Sequence, residues 1–124
     1  MGDLLKTILI VEDTELNIHL LTQLLENDSN LLVAKDGEQG VNMAQENSPD
    51  LILMDIQLPL MDGFEVTRRI KADPALWHIP VIAVTSYALS EDEARTQEAG
   101  CDDYVAKPFS PRQLLVLINE HLSS

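Results

Sequence analysis

The chain contains few basic residues, a single cysteine and no long apolar run. Its 124 residues include 8 Lys and Arg against 21 Asp and Glu, which gives a formal net charge of −13 at pH 7. This balance argues against nucleic-acid binding, because contacts to phosphates require clustered Lys and Arg. The one cysteine, Cys101, excludes an internal disulfide and is compatible with a reducing cytoplasm, where we expect the protein to act. No apolar run approaches the roughly 20 residues of a membrane-spanning helix, and no signal-peptide pattern opens the chain, so we expect no membrane association.

The length and composition indicate one folded domain. A chain of 124 residues, of which 45% are hydrophobic, can bury roughly two-thirds of its unfolded surface and form its own core. No repeat, linker or low-complexity segment divides the sequence. We therefore expect a single domain over residues 1–124 without an effector domain, so that any signal must pass by contact with another protein.

Short apolar runs alternate with amphipathic segments along the chain. The apolar runs predict β-strands at 7–11, 31–34, 51–54, 81–84 and 103–106. The other segments predict helices at 15–26, 37–47, 63–71, 91–99 and from 111 onward. Several strands are apolar throughout, as expected of parallel strands covered on both faces. The alternation predicts an α/β fold: a doubly wound, five-stranded parallel sheet in the order 2-1-3-4-5, with five helices and right-handed crossovers.

Polar residues mark the expected helix ends. Asp36 and Ser110 are predicted N-caps, each with a Gln three residues later, and Ser90 is a third. Gly100 is the predicted terminator of the fourth helix. In the first helix, the apolar face is predicted to include Leu20.

Carboxylates follow the ends of two predicted strands. Glu12 and Asp13 come directly after the first strand, and Asp55 comes directly after the third. Because the C-terminal ends of parallel strands meet at one edge of the sheet, we expect these side chains to be neighbours. Three neighbouring carboxylates repel one another, and a divalent cation removes the repulsion. Oxygen ligands without His or Cys favour Mg²⁺ over zinc.

Residues after the fourth and fifth strands complete a site for a phosphoryl group, since Mg²⁺ is commonly held by one or two carboxylates plus phosphate oxygens. Lys107 would place a positive charge near one phosphoryl oxygen, and the hydroxyl of Thr85 would donate to another. A carboxylate such as Asp55 can act as a nucleophile and form an aspartyl phosphate. On spacing alone, Thr85 could equally be an ordinary strand residue and Lys107 a solvated surface charge.

Four motifs, in this order and spacing, carry a resemblance to a known family: ILIVED, DLILMDIQLPLMDG, IPVIAVTS and DYVAKPF. They resemble the receiver (REC) domain of two-component response regulators, from about Thr7 to the final helix. The resemblance is greatest to stand-alone receivers of chemotaxis and cell division, which have a flavodoxin-like fold. It implies a phosphoacceptor signalling protein rather than an enzyme. A sensor histidine kinase or a histidine phosphotransfer protein would phosphorylate Asp55, with Mg²⁺ as cofactor.

The same resemblance implies roles for the other site residues. Asp13 would bind Mg²⁺ directly, Glu12 would bind it through a metal-bound water, and Gln57 would contribute its backbone carbonyl, with Asp55 as a further ligand. Lys107 would pair with Asp55 and then with the phosphate.

A conformational switch is implied as well. Thr85 would move toward the phosphoryl group, and Tyr104 would rotate into the space that Thr85 leaves, although on sequence alone core packing is the commoner role for such a tyrosine. The Lys107–Pro108 bond is expected to be cis, an isomer that X-Pro bonds adopt at low cost.

The mouth of the site is expected to tune the lifetime of the phosphate. Gln57 and Tyr87 lie two residues past Asp55 and Thr85, where they would control access of water, and the bulk of Tyr87 would slow hydrolysis. Ser86 occupies a position where many receivers have Ala, and it is small enough to leave the site open.

The fourth helix is expected to transmit the signal. Residues 88–99 contain only Leu89 and a few alanines as apolar anchors, so this helix should be the least firmly held. We therefore place the output face for a downstream protein target on the fourth helix, the fifth strand and the fifth helix. The expected oligomeric state is a monomer or a weak dimer.

Two other function classes compete with this interpretation. An Mg²⁺-dependent phosphohydrolase of the haloacid-dehalogenase kind also uses an Asp nucleophile, but it needs a second Asp two residues later, where this chain has Gln57. A flavodoxin-like cofactor binder needs a phosphate loop rich in Ser, Thr and Gly after the first strand, where this chain has EDTELN.

Overall fold

Five strands and five helices alternate along the part of the chain that the structure describes. A computed structural model describes residues 5–58, 60–85, 90–106 and 110–123, with the backbone alone for 90–93. The elements are β1 (Lys6–Val11), α1 (Glu15–Leu25), β2 (Ser29–Ala34), α2 (Gly37–Asn47), β3 (Leu51–Asp55), α3 (Gly63–Ala72), β4 (Val81–Thr85), α4 (Ser90–Ala99), β5 (Asp103–Ala106) and α5 (Pro111–Leu122). Each predicted element is present, with ends that differ by at most two residues.

The strands form one parallel sheet in the order β2-β1-β3-β4-β5, as predicted. The apolar residues of β1, β3 and β4 are buried because helices cover both of their faces. The predicted strand 31–34 differs from these three. It belongs to β2 at the edge of the sheet, where Leu31, Leu32 and Val33 are only half-buried.

Alternate residues of the central strands point to opposite faces and form two apolar layers. On one face, Leu9, Ile52 and Val81 pack in a cluster with residues of α2, α3 and α4. On the other face, Ile8 and Ile82 pack in a cluster with residues of α1 and α5. The described helices are therefore divided three to two between the faces of the sheet.

Two predicted helix caps are observed. The side chains of Asp36 and Ser110 accept hydrogen bonds from the amides of Gln39 and Gln113, at 2.8 and 3.4 Å. In a capping box, the side chain of Gln39 would also accept a hydrogen bond from the amide of Asp36. Here Gln39 Oε1 accepts instead from the amide of Lys35, at 2.6 Å. The predicted cap at Ser90 depends on a side chain outside the described part of the structure.

Gly100 ends α4 as predicted. Its φ of +97° lies in the left-handed region, where a side chain would be strained. The amide of Cys101 donates to the carbonyl of Thr96 at 2.9 Å, and that of Gly100 donates to the carbonyl of Gln97 at 3.1 Å. Together these bonds satisfy carbonyls that the helix end would otherwise leave unpaired.

The prediction for the face of α1 was wrong at Leu20. Leu21 and Leu25 are buried, whereas Leu20 is 50% exposed. Successive helical residues are separated by about 100°, so Leu20 points away from the face that Leu21 and Leu25 share. Within the described part of the chain, no helix is both long enough and apolar enough to cross a membrane.

Lys71 joins α3 to the N-terminal edge of the sheet. Its Nζ donates to the carbonyls of Trp77 and Ile79, at 3.1 and 2.8 Å, and to Oδ2 of Asp102 at 2.8 Å. The same Asp102 oxygen accepts from the amide of Val81 at 2.8 Å. All three donors of the ammonium group are therefore used, which the sequence did not indicate.

Lys71→Met is expected to lower the free energy of unfolding by about 2 kcal/mol, because two carbonyls and Asp102 lose a charged donor while the apolar stem is kept. Urea denaturation measures this change. Lys35→Met is the control, since Lys35 pairs with Glu15 through side chains that are 58% and 77% exposed, and it should cost less than about 1 kcal/mol. If both variants lose the same free energy of unfolding, the hydrogen bonds of Lys71 contribute no more to stability than an exposed ion pair does.

Candidate metal and phosphoacceptor site

The register of the sheet brings the three carboxylates together. Val11 of β1 lies opposite Met54 of β3. The next residues, Glu12 just past β1 and Asp55 at the end of β3, therefore lie at the same level, and Asp13 follows Glu12. The amide of Glu12 still donates to the carbonyl of Ala34 at 2.9 Å, so the parallel ladder continues up to the site.

One carboxylate oxygen from each of Glu12, Asp13 and Asp55 lies within 4.8 Å of the other two. Glu12 and Asp55 are 2% and 4% exposed, while Asp13 is exposed. Three negative charges so close, two of them buried, repel one another strongly unless a cation or a donor lies among them.

Two backbone amides hold the buried carboxylates in place. The amide of Gln57 donates to Oδ1 of Asp55 at 3.0 Å, and the amide of Thr14 donates to Oε2 of Glu12 at 3.1 Å. The first contact is the turn that an Asp side chain makes with the amide two residues later. An Asp at the beginning of a loop is a sequence signal for this bond. The family resemblance had implied a different role for the backbone of Gln57, with its carbonyl as a metal ligand.

The donor set suits a magnesium ion. Mg²⁺ binds oxygen at about 2.0–2.1 Å, so ligands opposite each other in its octahedron lie about 4.2 Å apart. The oxygens of Glu12, Asp13 and Asp55 need only small side-chain movements from their spread of 4.8 Å to surround one ion. They could also surround it through a water, which Mg²⁺ commonly retains.

Gly63 lies in close contact with the end of β3. A Cβ atom on Gly63 would lie 2.4 Å from the carbonyl oxygen of Asp55 and 2.8 Å from the Cα of Ile56. The amide of Gly63 donates to the carbonyl of Ile56 at 3.0 Å, and its carbonyl accepts from Oγ1 of Thr67 at 2.8 Å. Because α3 begins in direct contact with the end of β3, only glycine fits at this position.

The loop between β3 and α3 contains an unusual leucine. Leu60 has a φ of +68° and is fully exposed. Non-glycine residues seldom adopt this conformation, and the sequence carried no signal for it. Gln57, the second residue of this loop, is also exposed.

Thr85 and Tyr104 lie on neighbouring strands beside this cluster. Thr85 is 1% exposed and lies opposite Ala106, while Tyr104 lies opposite Ala83, two positions earlier. The ring of Tyr104 is partly buried against the apolar cluster that includes α3 and α4. The strand order thus places Thr85 on β4, next to β3, and Tyr104 one strand farther from Asp55, on β5.

Four of the predicted features lie outside the described residues. They are Ser86, Tyr87, Lys107 and the Lys107–Pro108 peptide bond. Lys107 follows Ala106, the last residue of β5 and the partner of Thr85 in the sheet.

Comparisons with known proteins agree on one family. The sequence model described as "Response regulator receiver domain" matches residues 8–119. The chain is 44% identical over 118 residues to the polar-differentiation response regulator DivK of Brucella anthropi, a match that covers 94% of this chain and 96% of DivK.

Solved structures give the same result. The receiver domain of the sensor histidine kinase PA1611 from Pseudomonas aeruginosa PAO1, with a magnesium ion coordinated in its active site cleft, is 35% identical. It matches with a TM-score of 0.90 over 97% of this chain and 99% of that one. The BeF3-activated receiver domain of DrrB is 28% identical, with a TM-score of 0.88 over 98% and 100% of the two chains. The chain therefore belongs to the response regulator receiver domain family and is a signalling protein of a two-component system.

Proposed function

We propose that this receiver accepts a phosphoryl group on Asp55 from a phosphohistidine, with Mg²⁺ bound by the neighbouring carboxylates. The observation that carries the proposal is the approach of Glu12, Asp13 and Asp55 to within 4.8 Å at the C-terminal edge of the sheet. A buried aspartate at such an edge has no evident structural purpose, since burial of charge is costly. The magnesium ion in the cleft of the PA1611 receiver supports the same chemistry.

In the proposed step, an oxygen of Asp55 forms a bond to phosphorus while the P–N bond to the histidine breaks. The imidazole keeps the electron pair of that bond and takes up a proton, and the product is an aspartyl phosphate. Bound Mg²⁺ would neutralise charge on the transferred group. The hydrogen bond from the amide of Gln57 to Oδ1 orients the Asp55 carboxylate before the donor arrives.

The remaining roles in the site are those that the family resemblance implies. Asp13 would be a direct metal ligand, Glu12 would act through a metal-bound water, and the carbonyl of Gln57 would complete the protein ligands. The exposure of Gln57 at the start of the loop supports a second role for it, in tuning access of water together with Tyr87. By this route the receiver would assist its own phosphorylation and dephosphorylation.

The switch would operate through the residues beyond β4 and β5. Lys107 would pair with the phosphate after first pairing with Asp55, while Thr85, with Ser86 beside it, would move toward the phosphoryl oxygens. Tyr104 would then fill the space that Thr85 leaves. The partial burial of Tyr104 beside β4 supports this movement, because its ring already lies against the layer into which it would turn.

We assign the output to α4, β5 and α5, where a downstream protein would bind. Within residues 94–99 of α4, only Thr96 and Ala99 are buried, so this helix has few apolar anchors. A groove of about 810 Å³ lies between β5 and α5. Its lining includes Tyr104 and the half-exposed Val116. A phosphorylation-dependent change in α4 and β5 would alter the shape of this surface.

The partners in this proposal are a sensor histidine kinase or a histidine phosphotransfer protein as donor, and a protein target as receptor. A cytoplasmic location and a monomeric or weakly dimeric state belong to the same proposal.

Mg²⁺ binding tests the ligand assignment. Asp13→Asn is expected to weaken Mg²⁺ at least about ten-fold in isothermal titration calorimetry, because even outer-shell changes cost metal sites 10–100-fold. Asp28→Asn serves as the control, since it removes the same charge directly before β2, at the opposite edge of the sheet. If the two variants bind Mg²⁺ with equal affinity, Asp13 is not a ligand of the ion.

A further inference from the structure

The loop between β3 and α3 presents an apolar side chain to solvent beside the phosphoacceptor site. Among the residues that the structure describes, Leu60 is the most exposed of the large hydrophobic side chains. A single exposed leucine is common on protein surfaces and needs no explanation by itself. Leu60 differs from such residues in its backbone conformation and in the way its loop is held.

The backbone of Leu60 adopts a conformation that leucine disfavours. Its φ of +68° lies in the left-handed region, which Gly, Asn and Asp adopt much more readily. The side chain is fully exposed, so it buries no apolar surface within the described structure that would offset this strain. Strained residues of this kind cluster at functional sites, because the surrounding structure has to hold them in place.

The loop is anchored on both sides of its exposed leucine. Leu58 and Met61 are partly buried against the apolar cluster that includes residues of α2, α3 and α4. Met61 also packs against the start of α2, since a Cβ on Gly37 would lie 3.1 Å from the carbonyl oxygen of Met61. The base of the loop is closed by the hydrogen bond from the amide of Gly63 to the carbonyl of Ile56. The exposed side chain is thus presented from an ordered backbone, so a partner that covers it has little loop entropy to remove.

This loop lies where a protein donor has to approach Asp55. The loop begins directly after Asp55, at the C-terminal edge of the sheet. For phosphoryl transfer, the reacting atoms must come to within about 3–3.5 Å of each other. A phosphohistidine brings the surface of its own protein with it to this edge, whereas a small donor such as acetyl phosphate does not.

We propose that Leu60 is a docking contact for the protein that carries the phosphohistidine. The proposal rests on the proposed function, in which Asp55 accepts the phosphoryl group. The donor would place an apolar patch beside its histidine, and the contact would remove both apolar surfaces from water. At a mouth that otherwise presents the carboxylates of Glu12, Asp13 and Asp55, such a contact adds affinity that does not depend on charge.

A comparison of a protein donor with a small donor tests the contact. Leu60→Asn removes the apolar side chain and suits the left-handed backbone. The protein probe is a histidine phosphotransfer protein with a radioactive label on its phosphohistidine, selected beforehand for transfer to the wild-type chain. With this donor, kcat/KM should fall about ten-fold, near the low end of the effect of burying a leucine side chain. The loss should appear in KM rather than in kcat, because docking precedes the chemical step.

Two further measurements separate docking from a structural role. Phosphorylation of Leu60→Asn by acetyl phosphate with Mg²⁺ should proceed at the rate of the wild type, since no partner surface is involved. In urea, the variant should unfold at the same or a higher concentration than the wild type, because the strain is relieved. A lower urea midpoint would mean that Leu60 serves the fold, and the proposal would be wrong.

Leu5→Asn is the matched control. Leu5 is 45% exposed and directly precedes β1, at the opposite edge of the sheet from Asp55. The same substitution there should leave kcat/KM with the protein donor unchanged. If Leu5→Asn loses as much as Leu60→Asn, or if Leu60→Asn loses nothing, Leu60 is not a docking contact.

The donors also distinguish this inference from the proposed function. A wild-type chain that neither acetyl phosphate nor any phosphotransfer protein labels would overturn both. A chain that acetyl phosphate labels on Asp55, but that no phosphohistidine protein labels, would overturn the docking contact alone. A loss confined to Leu60→Asn and to the protein donor would support the proposal.

Discussion

Asp55→Asn is expected to abolish phosphorylation of the protein by acetyl phosphate in the presence of Mg²⁺. The amide oxygen of Asn carries no formal charge and is a poor nucleophile, so the bond to phosphorus cannot form at useful rates. The substitution keeps the size of the side chain and an oxygen able to accept from the amide of Gln57, so the fold should be retained. Mass spectrometry of the intact protein measures the phosphoryl adduct, which should appear in the wild type and disappear when Mg²⁺ is removed with a chelator.

The matched control for this experiment is Asp62→Asn. Asp62 lies in the same segment and is the N-cap of α3, accepting from the amide of Glu65 at 2.9 Å. Asn caps helices about as well as Asp, so this variant loses the same charge without losing the cap. It should be phosphorylated like the wild type. An adduct that persists in Asp55→Asn would mean that another residue accepts the phosphoryl group, and the proposed site would be wrong.

Gly63→Ala is expected to destabilise the fold by about 3 kcal/mol, toward the upper end of the usual cost of overpacking. The added Cβ would lie 2.4 Å from the backbone carbonyl of Asp55, and backbone atoms cannot move aside as a flexible side chain can. Either β3 or the first turn of α3 has to shift. Because the shift begins at Asp55, the yield of the phosphoryl adduct should fall as well. Urea denaturation and mass spectrometry measure the two effects.

Gly40→Ala provides the comparison. A Cβ at Gly40 would meet the side chain of Val11 at 3.1 Å, a contact that a small side-chain movement relieves. Alanine also favours the helix interior over glycine by about 1 kcal/mol, which offsets part of the cost. We therefore expect Gly40→Ala to change the stability by less than about 1 kcal/mol and to leave phosphorylation intact. If the two alanine variants unfold at the same urea concentration, the close approach of Gly63 to Asp55 is not a constraint.

The order of elements was readable from the sequence because the central strands are covered on both faces. Such strands must be apolar along their whole length, which separates them from the amphipathic helices between them. Caps were readable for a similar reason, since Asp36 and Ser110 act on amides only three residues away. A parallel sheet also determines which strand ends share an edge, so the sequence predicted that the carboxylates of residues 12, 13 and 55 would be neighbours.

Contacts between residues far apart in the chain were not readable. Lys71 and Asp102 are 31 residues apart. Arg95 of α4 and Phe64 of α3 are 31 residues apart as well. Exposed Lys and Arg side chains occur on most helices, so neither residue stood out from its neighbours. The orientation of Leu20 was predicted wrongly because Leu20 and Leu21 are adjacent leucines, and their sequence alone does not show which of the two faces the sheet.

By itself, the sequence determined the α/β alternation, the strand order and the family of this protein, because these depend on local periodicity and on residues at strand ends. The tertiary structure alone decided how closely Gly63 approaches Asp55 and where α4 contacts α3. These features are set by register and by packing between helices, at distances of a few ångströms between groups that no sequence spacing relates. Geometry of that kind arises only when the whole core is assembled.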